Sequence, residues 1–156
     1  MKLSEGLIEV SVVGGYLGAG KTTLVNHILR EASERVAVMV NDFGEINIDD
    51  ALIDSSNENT ISLTNGCICC SLVDGFAAAL ESVLSFLPRP TRLVIEASGV
   101  ADPGAIAAHG HSPGLALDAV VVVVDSVRLI EQIADPLIGQ TVASQIRAAD
   151  VIVINK

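Results

Sequence analysis

The chain has 156 residues, half of them hydrophobic, and a formal net charge of -10 at pH 7. A chain of this size can bury the core of one domain, and its acidity argues against nucleic acid as a partner, because no run of Lys or Arg is present to neutralise phosphates. The longest apolar stretch, residues 119–124, is far shorter than the ~20 residues that cross a bilayer, so we expect a core strand there and no membrane partner.

Strand and helix patterns alternate along the chain. Residues 8–13, 36–40, 61–63, 92–95, 117–124 and 151–154 are predicted strands, and residues 21–32, 73–87 and a segment around 138–146 are predicted helices. The strand patterns are continuously apolar, which is typical of a parallel sheet covered by helices on both faces. We therefore predict a three-layer α/β fold with a mainly parallel central sheet, in one domain without a linker. The polar, acidic segment 42–59 is predicted to be a mobile loop region.

A phosphate-binding signature lies between the first strand and the first helix. The stretch GYLGAGKTT, residues 15–23, satisfies G-x-x-x-x-G-K-[ST] through Gly15, Gly20, Lys21 and Thr22. Glycines let backbone N–H groups turn inward around a phosphate, and the helix N-terminus adds positive potential. Lys21 is predicted to bridge the β- and γ-phosphates and Thr22 to place its hydroxyl on Mg²⁺. A glycine turn without function is the alternative, and its strand–turn–helix context argues against it.

Two residues after the strand 92–95 are predicted to belong to the same site. Glu96 lies where P-loop proteins keep an acidic residue near Mg²⁺ or the attacking water, and the backbone N–H of Gly99 can donate to the γ-phosphate. Because ligands of parallel sheets bind beyond the carboxyl ends of the strands, the segments after Val13, Val40, Ile95, Val124 and Ile154 are expected to meet around one ligand. The alternative for Glu96 and Gly99 is an ordinary turn at the end of a strand.

The last two residues, Asn155 and Lys156, follow a buried strand pattern at that same edge. They begin the N-K-x-D signature with which GTPases bind guanine, in which Asn contacts the base and Lys packs along it. The chain ends before the Asp position, so this pair alone is a weak signal.

All three cysteines of the chain, Cys67, Cys69 and Cys70, fall within four positions. Structural disulfides fit poorly, because the number is odd and adjacent thiols cannot join distant segments. Core packing, a redox pair and a soft-metal site remain as interpretations, and the helix predicted after Cys70 would supply the positive potential that a thiolate needs.

Taken together, these motifs resemble those of the CobW-like GTPases, relatives of the UreG and HypB metallochaperones in the SIMIBI class of P-loop proteins. The matching stretches are GYLGAGKTT, VNDFGE at 40–45, TNGCICC at 64–70, EASGVADP at 96–103, VVDS at 123–126 and QIRAADVIVINK at 145–156. They cover almost the whole chain in the order of the family. Tyr16 and Asp42 depart from it, since Phe and Glu are more usual at those positions.

The resemblance implies a three-layer P-loop NTPase fold and GTP hydrolysis with Mg²⁺. It also implies handling of a transition metal, Zn²⁺, Co²⁺ or Ni²⁺, for a client metalloprotein or cofactor-synthesis enzyme. By the resemblance, the nucleotide and Mg²⁺ are bound by Gly15, Gly18, Ala19, Gly20, Lys21, Thr22, Thr23, Asn155 and Lys156, with Lys21, Glu96 and Gly99 in catalysis. The C-x-C-C run becomes the metal motif, with Glu45 or a histidine as a further ligand. Residues 41–45 resemble the switch loop. His109 and His111 are candidate ligands, with surface-loop residues as the alternative.

The resemblance also implies that residues 1–156 are a GTPase domain truncated within the guanine motif, without the C-terminal domain. A cytoplasmic location is expected, and dimerisation in response to nucleotide is left open. Two other functions remain alternatives: a P-loop ATPase or kinase, and a metal-binding regulatory module that does not hydrolyse nucleotide.

Overall fold

The structure is a computed structural model that describes residues 6–41, 60–64 and 72–156. Six strands lie in these ranges, namely β1 (Ile8–Gly14), β2 (Val36–Asn41), β3 (Thr60–Thr64), β4 (Arg92–Ala97), β5 (Leu115–Asp125) and β6 (Val151–Asn155). The helices described are α1 (Lys21–Glu31), α2 (Leu72–Ser85), α3 (Pro103–Ala107), α4 (Leu129–Ala134) and α5 (Gly139–Arg147), together with a 3₁₀ turn at Ala108–His111. All the predicted strands and helices are present. The prediction for segment 42–59 lies outside the described residues.

The six strands form one parallel sheet in the order β3-β2-β4-β1-β5-β6. Apolar side chains are buried on both of its faces, which explains the continuously apolar strand patterns. On one face α1 packs through Val25 and Leu29, and on the other α2 and α3 pack through residues that include Val83 and Ile106. This is the three-layer arrangement that the sequence predicts.

The apolar run 119–124 is part of β5, as predicted. Val120, Val122 and Val124 face the core shared with α2 and α3, and each is at most 6% exposed. In the ranges that the structure describes, no helix has both the length and the apolar character needed to cross a bilayer.

The sheet brings the predicted strand ends together at its carboxyl edge. Val13 of β1 and Val40 of β2 both pair in register with Glu96 of β4. On the other side of β1, β5 pairs with β6 so that Asp125 lies opposite Asn155. Because β1 lies between β4 and β5, the loop that follows it faces the ends of both neighbours.

Candidate nucleotide site

The loop between β1 and α1 has the local geometry of a phosphate cradle. Its turn is closed by the N–H of Ala19, which donates to the carbonyl of Tyr16 at 3.1 Å. Gly20 has φ 111°, a left-handed conformation that favours glycine, and a Cβ there would collide with the side-chain amide of Asn155. Gly20 also stands at the N-cap of α1 and has no side chain to bind the first N–H groups of the helix. Those donors are therefore suited to an anion.

Lys21 and Thr22, the first residues of α1, direct their side chains toward this loop and the end of β4. Lys21 is only 8% exposed, and its Nζ donates to the carbonyl of Tyr16 at 3.5 Å. The Thr22 hydroxyl donates to Oε1 of Glu96 at 2.7 Å. Glu96 is 2% exposed at the end of β4. The structure thus brings together Thr22 and Glu96, which lie 74 positions apart in the sequence.

The pair of Thr22 and Glu96 also has the right chemistry for Mg²⁺. This cation prefers oxygen ligands, and the pair presents a hydroxyl and a carboxylate oxygen within 2.7 Å of each other at the start of α1. Both lie beside the loop whose backbone is shaped for phosphate, which is where a nucleotide-bound Mg²⁺ is needed.

The turn after β4 approaches the phosphate loop directly. Residues 98–101 form a tight turn, closed by the N–H of Ala101 donating to the carbonyl of Ser98 at 3.1 Å. Gly99 is buried there, and a Cβ on it would lie 2.9 Å from the backbone nitrogen of Leu17. A side chain at this position would push the two loops apart, so glycine is required by their close approach.

The ends of β5 and β6 contact the other side of the phosphate loop. Asn155 Nδ2 donates to the carbonyl of Ala19 at 2.9 Å, and Lys156 Nζ donates to the carbonyl of Gly18 at 2.5 Å. Lys156 Nζ also lies 3.1 Å from Oδ2 of Asp125. The predicted base-binding pair is therefore attached to the same loop as Lys21 and Thr22.

Asp125 is a site residue whose role the sequence reasoning did not assign, although it lies within the quoted VVDS stretch. It is 5% exposed. Its Oδ1 accepts from the N–H groups of Val127 and Arg128 at 3.1 and 3.2 Å, while Oδ2 accepts from Lys156. Burial raises the pKa of this carboxyl, but the hydrogen bonds from Lys156 and the two N–H groups outweigh burial and hold the pKa below its usual range.

Gln145 of α5 is a second residue without a predicted role. It is 2% exposed, and its Nε2 donates to the carbonyls of Gly99 and Ala101, both at 3.0 Å. The only sequence signal was that the matching stretch 145–156 begins with this residue.

The predicted transition-metal ligands Cys67, Cys69, Cys70 and Glu45 lie outside the described residues, as do residues 42–45 of the predicted switch loop. His109 and His111 are exposed on the 3₁₀ turn, and the His109 ring meets Phe76 of α2 edge to face with ring centres 4.9 Å apart. Within the described ranges, no three His, Cys, Asp or Glu residues are grouped to hold a metal ion.

Residues 9–156 match the family model described as CobW/HypB/UreG, nucleotide-binding domain. The chain belongs to the CobW/HypB/UreG family. The predicted membership of the CobW-like family of P-loop proteins is thereby confirmed.

Two similar proteins carry names that refer to zinc or to GTP. The chain is 42% identical to the zinc chaperone YjiA of Escherichia coli (strain K12), over 96% of this chain and 49% of YjiA. It is 31% identical to the zinc-regulated GTPase metalloprotein activator 1 of Schizosaccharomyces pombe (strain 972 / ATCC 24843), over 96% of this chain and 39% of that protein. The chain thus spans about half or less of the length of these curated relatives.

The fold agrees with that of a solved family member. The hydrogenase maturation factor HypB of Archaeoglobus fulgidus superposes with a TM-score of 0.61 at 19% identity, covering 97% of this chain and 67% of the HypB chain. At that identity the likeness concerns the fold, and it confirms the predicted α/β P-loop architecture.

Proposed function

We propose that this protein binds GTP with Mg²⁺, hydrolyses it, and couples the hydrolysis to delivery of a transition metal to a client protein. The observation that carries the nucleotide part is the hydrogen bond between Thr22 and the buried Glu96 at the base of the phosphate loop. Two hard oxygen ligands are held there beside a helix N-terminus and a buried lysine, which together suit a nucleoside triphosphate and its cation.

The roles of the individual residues follow from their positions. The backbone N–H groups at residues 18–22 bind the phosphates, and Lys21 exchanges its contact with the Tyr16 carbonyl for the β- and γ-phosphate oxygens. Thr22 and Glu96 would hold Mg²⁺, which would supply positive charge to the phosphates. Glu96 also orients the attacking water, and the N–H of Gly99 donates to the terminal phosphate. Thr23, the third residue of α1, is the last of the predicted phosphate-binding residues.

Guanine rather than adenine is favoured because Asn155 and Lys156 match the start of the guanine-binding N-K-x-D signature. Asn155 is anchored to the carbonyl of Ala19 and Lys156 to that of Gly18, so both are held against the loop that carries the phosphates. A base bound between them has a fixed distance to the phosphate site. We infer that this rigid connection gives the N-K pair its role in base recognition, with an ATPase or kinase as the competing outcome.

Zinc is the metal that we propose first, because the relatives named above are called a zinc chaperone and a zinc-regulated activator. Thiolates suit zinc and also cobalt or nickel, which remain the other candidates. In sequence, the cysteines lie between Thr64, the last residue of β3, and Leu72, the first residue of α2. His109 contacts Phe76 in the early part of α2 and is a candidate additional ligand, and Glu45 is another. A reducing compartment such as the cytoplasm suits such thiolates.

The first experiment is measurement of phosphate release by the purified protein with GTP or ATP, each with Mg²⁺ or with a chelator of Mg²⁺. We expect Mg²⁺-dependent multiple turnover with GTP. Equal turnover with ATP would contradict the guanine assignment, and absence of turnover with both nucleotides would reduce the protein to a metal-binding module.

The second experiment tests coupling of the metal to the nucleotide. Zn²⁺ is titrated against a competing chelator, with Mg²⁺ and a non-hydrolysable GTP analogue in one series and GDP in the other. A coupling of roughly 5- to 150-fold in Zn²⁺ affinity is expected, and linkage requires the same factor for the effect of Zn²⁺ on binding of the analogue relative to GDP. Equal affinities in the two series would remove the GTPase from metal delivery. The variants Cys69→Ser and Cys70→Ser must lose Zn²⁺ binding for the motif to be credited.

A further inference from the structure

Gln145 is a buried polar side chain that neither phosphate binding nor metal binding has so far used. Its Nε2 donates to the carbonyls of Gly99 and Ala101, both at 3.0 Å. Because only the NH₂ end of a glutamine amide donates, two carbonyl partners fix the orientation of this side chain. Helix α5 is thus attached to the turn after β4 by two hydrogen bonds from a side chain that is 2% exposed.

These bonds act together with a backbone bond of the turn to orient the two peptide planes at Gly99. On its N-terminal side, the carbonyl of Ser98 accepts from the N–H of Ala101 at 3.1 Å, which orients the Ser98–Gly99 peptide. On its C-terminal side, the carbonyl of Gly99 accepts from Gln145, which orients the Gly99–Val100 peptide. Since a peptide unit is planar, the orientation of the Ser98 carbonyl sets the direction of the Gly99 N–H, and the bonds from Gln145 hold the turn in which the Ala101 N–H makes that contact. Glycine has no side chain to restrict its own backbone, so this direction depends on the partners.

The direction matters because Gly99 lies against the phosphate loop, with its Cβ position only 2.9 Å from the nitrogen of Leu17. We propose that Gln145 is a positioning residue for the terminal phosphate. By holding the carbonyls of Gly99 and Ala101, it keeps the turn in which the Ser98–Gly99 peptide is oriented, aims the Gly99 N–H at the γ-phosphate and sets the preference for nucleoside triphosphate over diphosphate. The inference rests on the proposed nucleotide function of the site. It predicts that loss of Gln145 weakens binding of the triphosphate and leaves the affinity for GDP unchanged.

The test compares the wild type with Gln145→Met, which keeps a side chain of similar length and removes both donors. Affinities for GDP and for a non-hydrolysable GTP analogue are measured by titration, and kcat for GTP is measured by phosphate release. We expect about tenfold losses in analogue affinity and in kcat, because a preorganised backbone donor loses its aim, while GDP affinity stays within about twofold.

The matched control is Gln132→Met on α4. Gln132 is 5% exposed, and its side chain makes no hydrogen bond to another residue of the described ranges. The same substitution there changes a mostly buried glutamine without removing a hydrogen bond to the turn, so the ratio of analogue to GDP affinity should equal that of the wild type. Thermal unfolding of both variants measures the general cost of the substitution. Gln145→Asn, which is one methylene too short to reach both carbonyls, carries the test if Gln145→Met does not fold.

The outcomes separate this inference from the proposed function. An unchanged ratio of analogue to GDP affinity in Gln145→Met, or parallel losses for both nucleotides, would overturn the positioning role while leaving a nucleotide-binding protein. A wild type that binds neither nucleotide would defeat the proposed function and this inference with it.

Discussion

Both ends of the sheet carry ion pairs, and the carboxylates at the two ends differ in their access to water. At the amino end, Arg92 contacts Glu9, Glu34 and Asp118 at 2.8, 3.2 and 3.5 Å. Arg92 is 30% exposed and its three partners between 45% and 54%. At the carboxyl end, Lys156 contacts Asp125 at 3.1 Å, and although Lys156 is 47% exposed, the Asp125 side chain is only 5% exposed.

The ion pairs at the two ends are therefore expected to contribute differently to stability and to the site. Ion pairs in water contribute little, because solvent and salt screen them and ordering long side chains costs entropy. A buried carboxylate depends on its specific partners, since water cannot replace them. The partners of Asp125 are Lys156 and the N–H groups that begin the loop to α4, so this carboxylate organises the site. The expected consequence is that substitutions at the carboxyl end change nucleotide chemistry, whereas those at the amino end change at most stability.

The largest effect is expected for Lys21→Ala. This substitution removes a buried cation directed at the phosphate loop of a protein with a net charge of -10, and the other lysine on this loop, Lys156, is already paired with Asp125. Affinity for a fluorescent GTP analogue should fall at least ~100-fold, which corresponds to roughly 2.7 kcal/mol of binding free energy. The circular dichroism spectrum should stay that of the wild type. Unchanged affinity would mean that Lys21 does not contact the phosphates.

The second-largest effect is expected for Glu96→Gln. The amide oxygen of Gln can still accept from Thr22, so the substitution removes the charge and keeps the hydrogen bond. Turnover should fall by about 100-fold and GTP affinity by only a few-fold, because the carboxylate acts on the cation and water during the reaction. Steady-state phosphate release and a binding titration measure the two quantities. Glu34→Gln at the amino end is the control, and binding that falls in parallel with rate would remove the proposed role of Glu96.

A smaller effect is expected for Asp125→Asn. The remaining Oδ1 can still accept from Val127 and Arg128, whereas the new NH₂ group faces Lys156 Nζ, so donor meets donor. Loss of one charge-assisted hydrogen bond should weaken GDP binding by about tenfold without changing the ratio of triphosphate to diphosphate affinity. Competition with GDP and ADP measures the effect, and discrimination between the bases should decrease. Asp150→Asn is the control, because Asp150 binds the N–H of Val120 away from the site.

The same carboxylate gives a prediction about pH. The pKa of Asp125 is lower in the folded protein than its ordinary value of 3.8. The stabilisation from its ionised form is therefore complete above the unfolded pKa and is lost as the pH falls through the folded pKa. Urea unfolding of wild type and Asp125→Asn should show a constant difference in stability between pH 6 and 7, and that difference should shrink at acid pH, below about 4. A difference that grows on acidification would contradict the assignment.

How far the sequence predicts this molecule depends on whether a signal is local. Continuous apolar runs and the glycine-rich turn identify the strands, α1 and the phosphate loop, because period and turn chemistry depend on neighbouring residues. The short helices α3 and α4, with five and six residues, were not predicted, since so few residues show no helical period. The four-residue 3₁₀ turn at Ala108–His111 was not predicted for the same reason.

Contacts between distant segments are the part that the sequence could not supply. The predicted site residues Thr22 and Glu96 are brought together as the strand order implies. The bonds from Gln145 to Gly99 and from Lys156 to Asp125 span 46 and 31 positions, and no spacing rule connects such residues. Gln145 lies on the buried face of α5 beside Val142, and its burial is tolerated because both carbonyl partners are supplied by the turn after β4.

The smallest effect is expected for Arg92→Gln at the amino end of the sheet. Three carboxylates lose their cationic partner, but each is about half exposed and can be solvated instead. The free energy of unfolding should therefore fall by only about 1 kcal/mol, and the loss should decrease when salt is raised, because salt screens the pairs in the wild type. GTP and GDP affinities should equal those of the wild type, since Arg92 begins β4 and the nucleotide site lies beyond its other end. Urea unfolding at low and high salt, with a nucleotide titration on the same samples, measures both. A change in nucleotide affinity comparable to that of Asp125→Asn would show that the two ends of the sheet are coupled and would defeat the contrast between them.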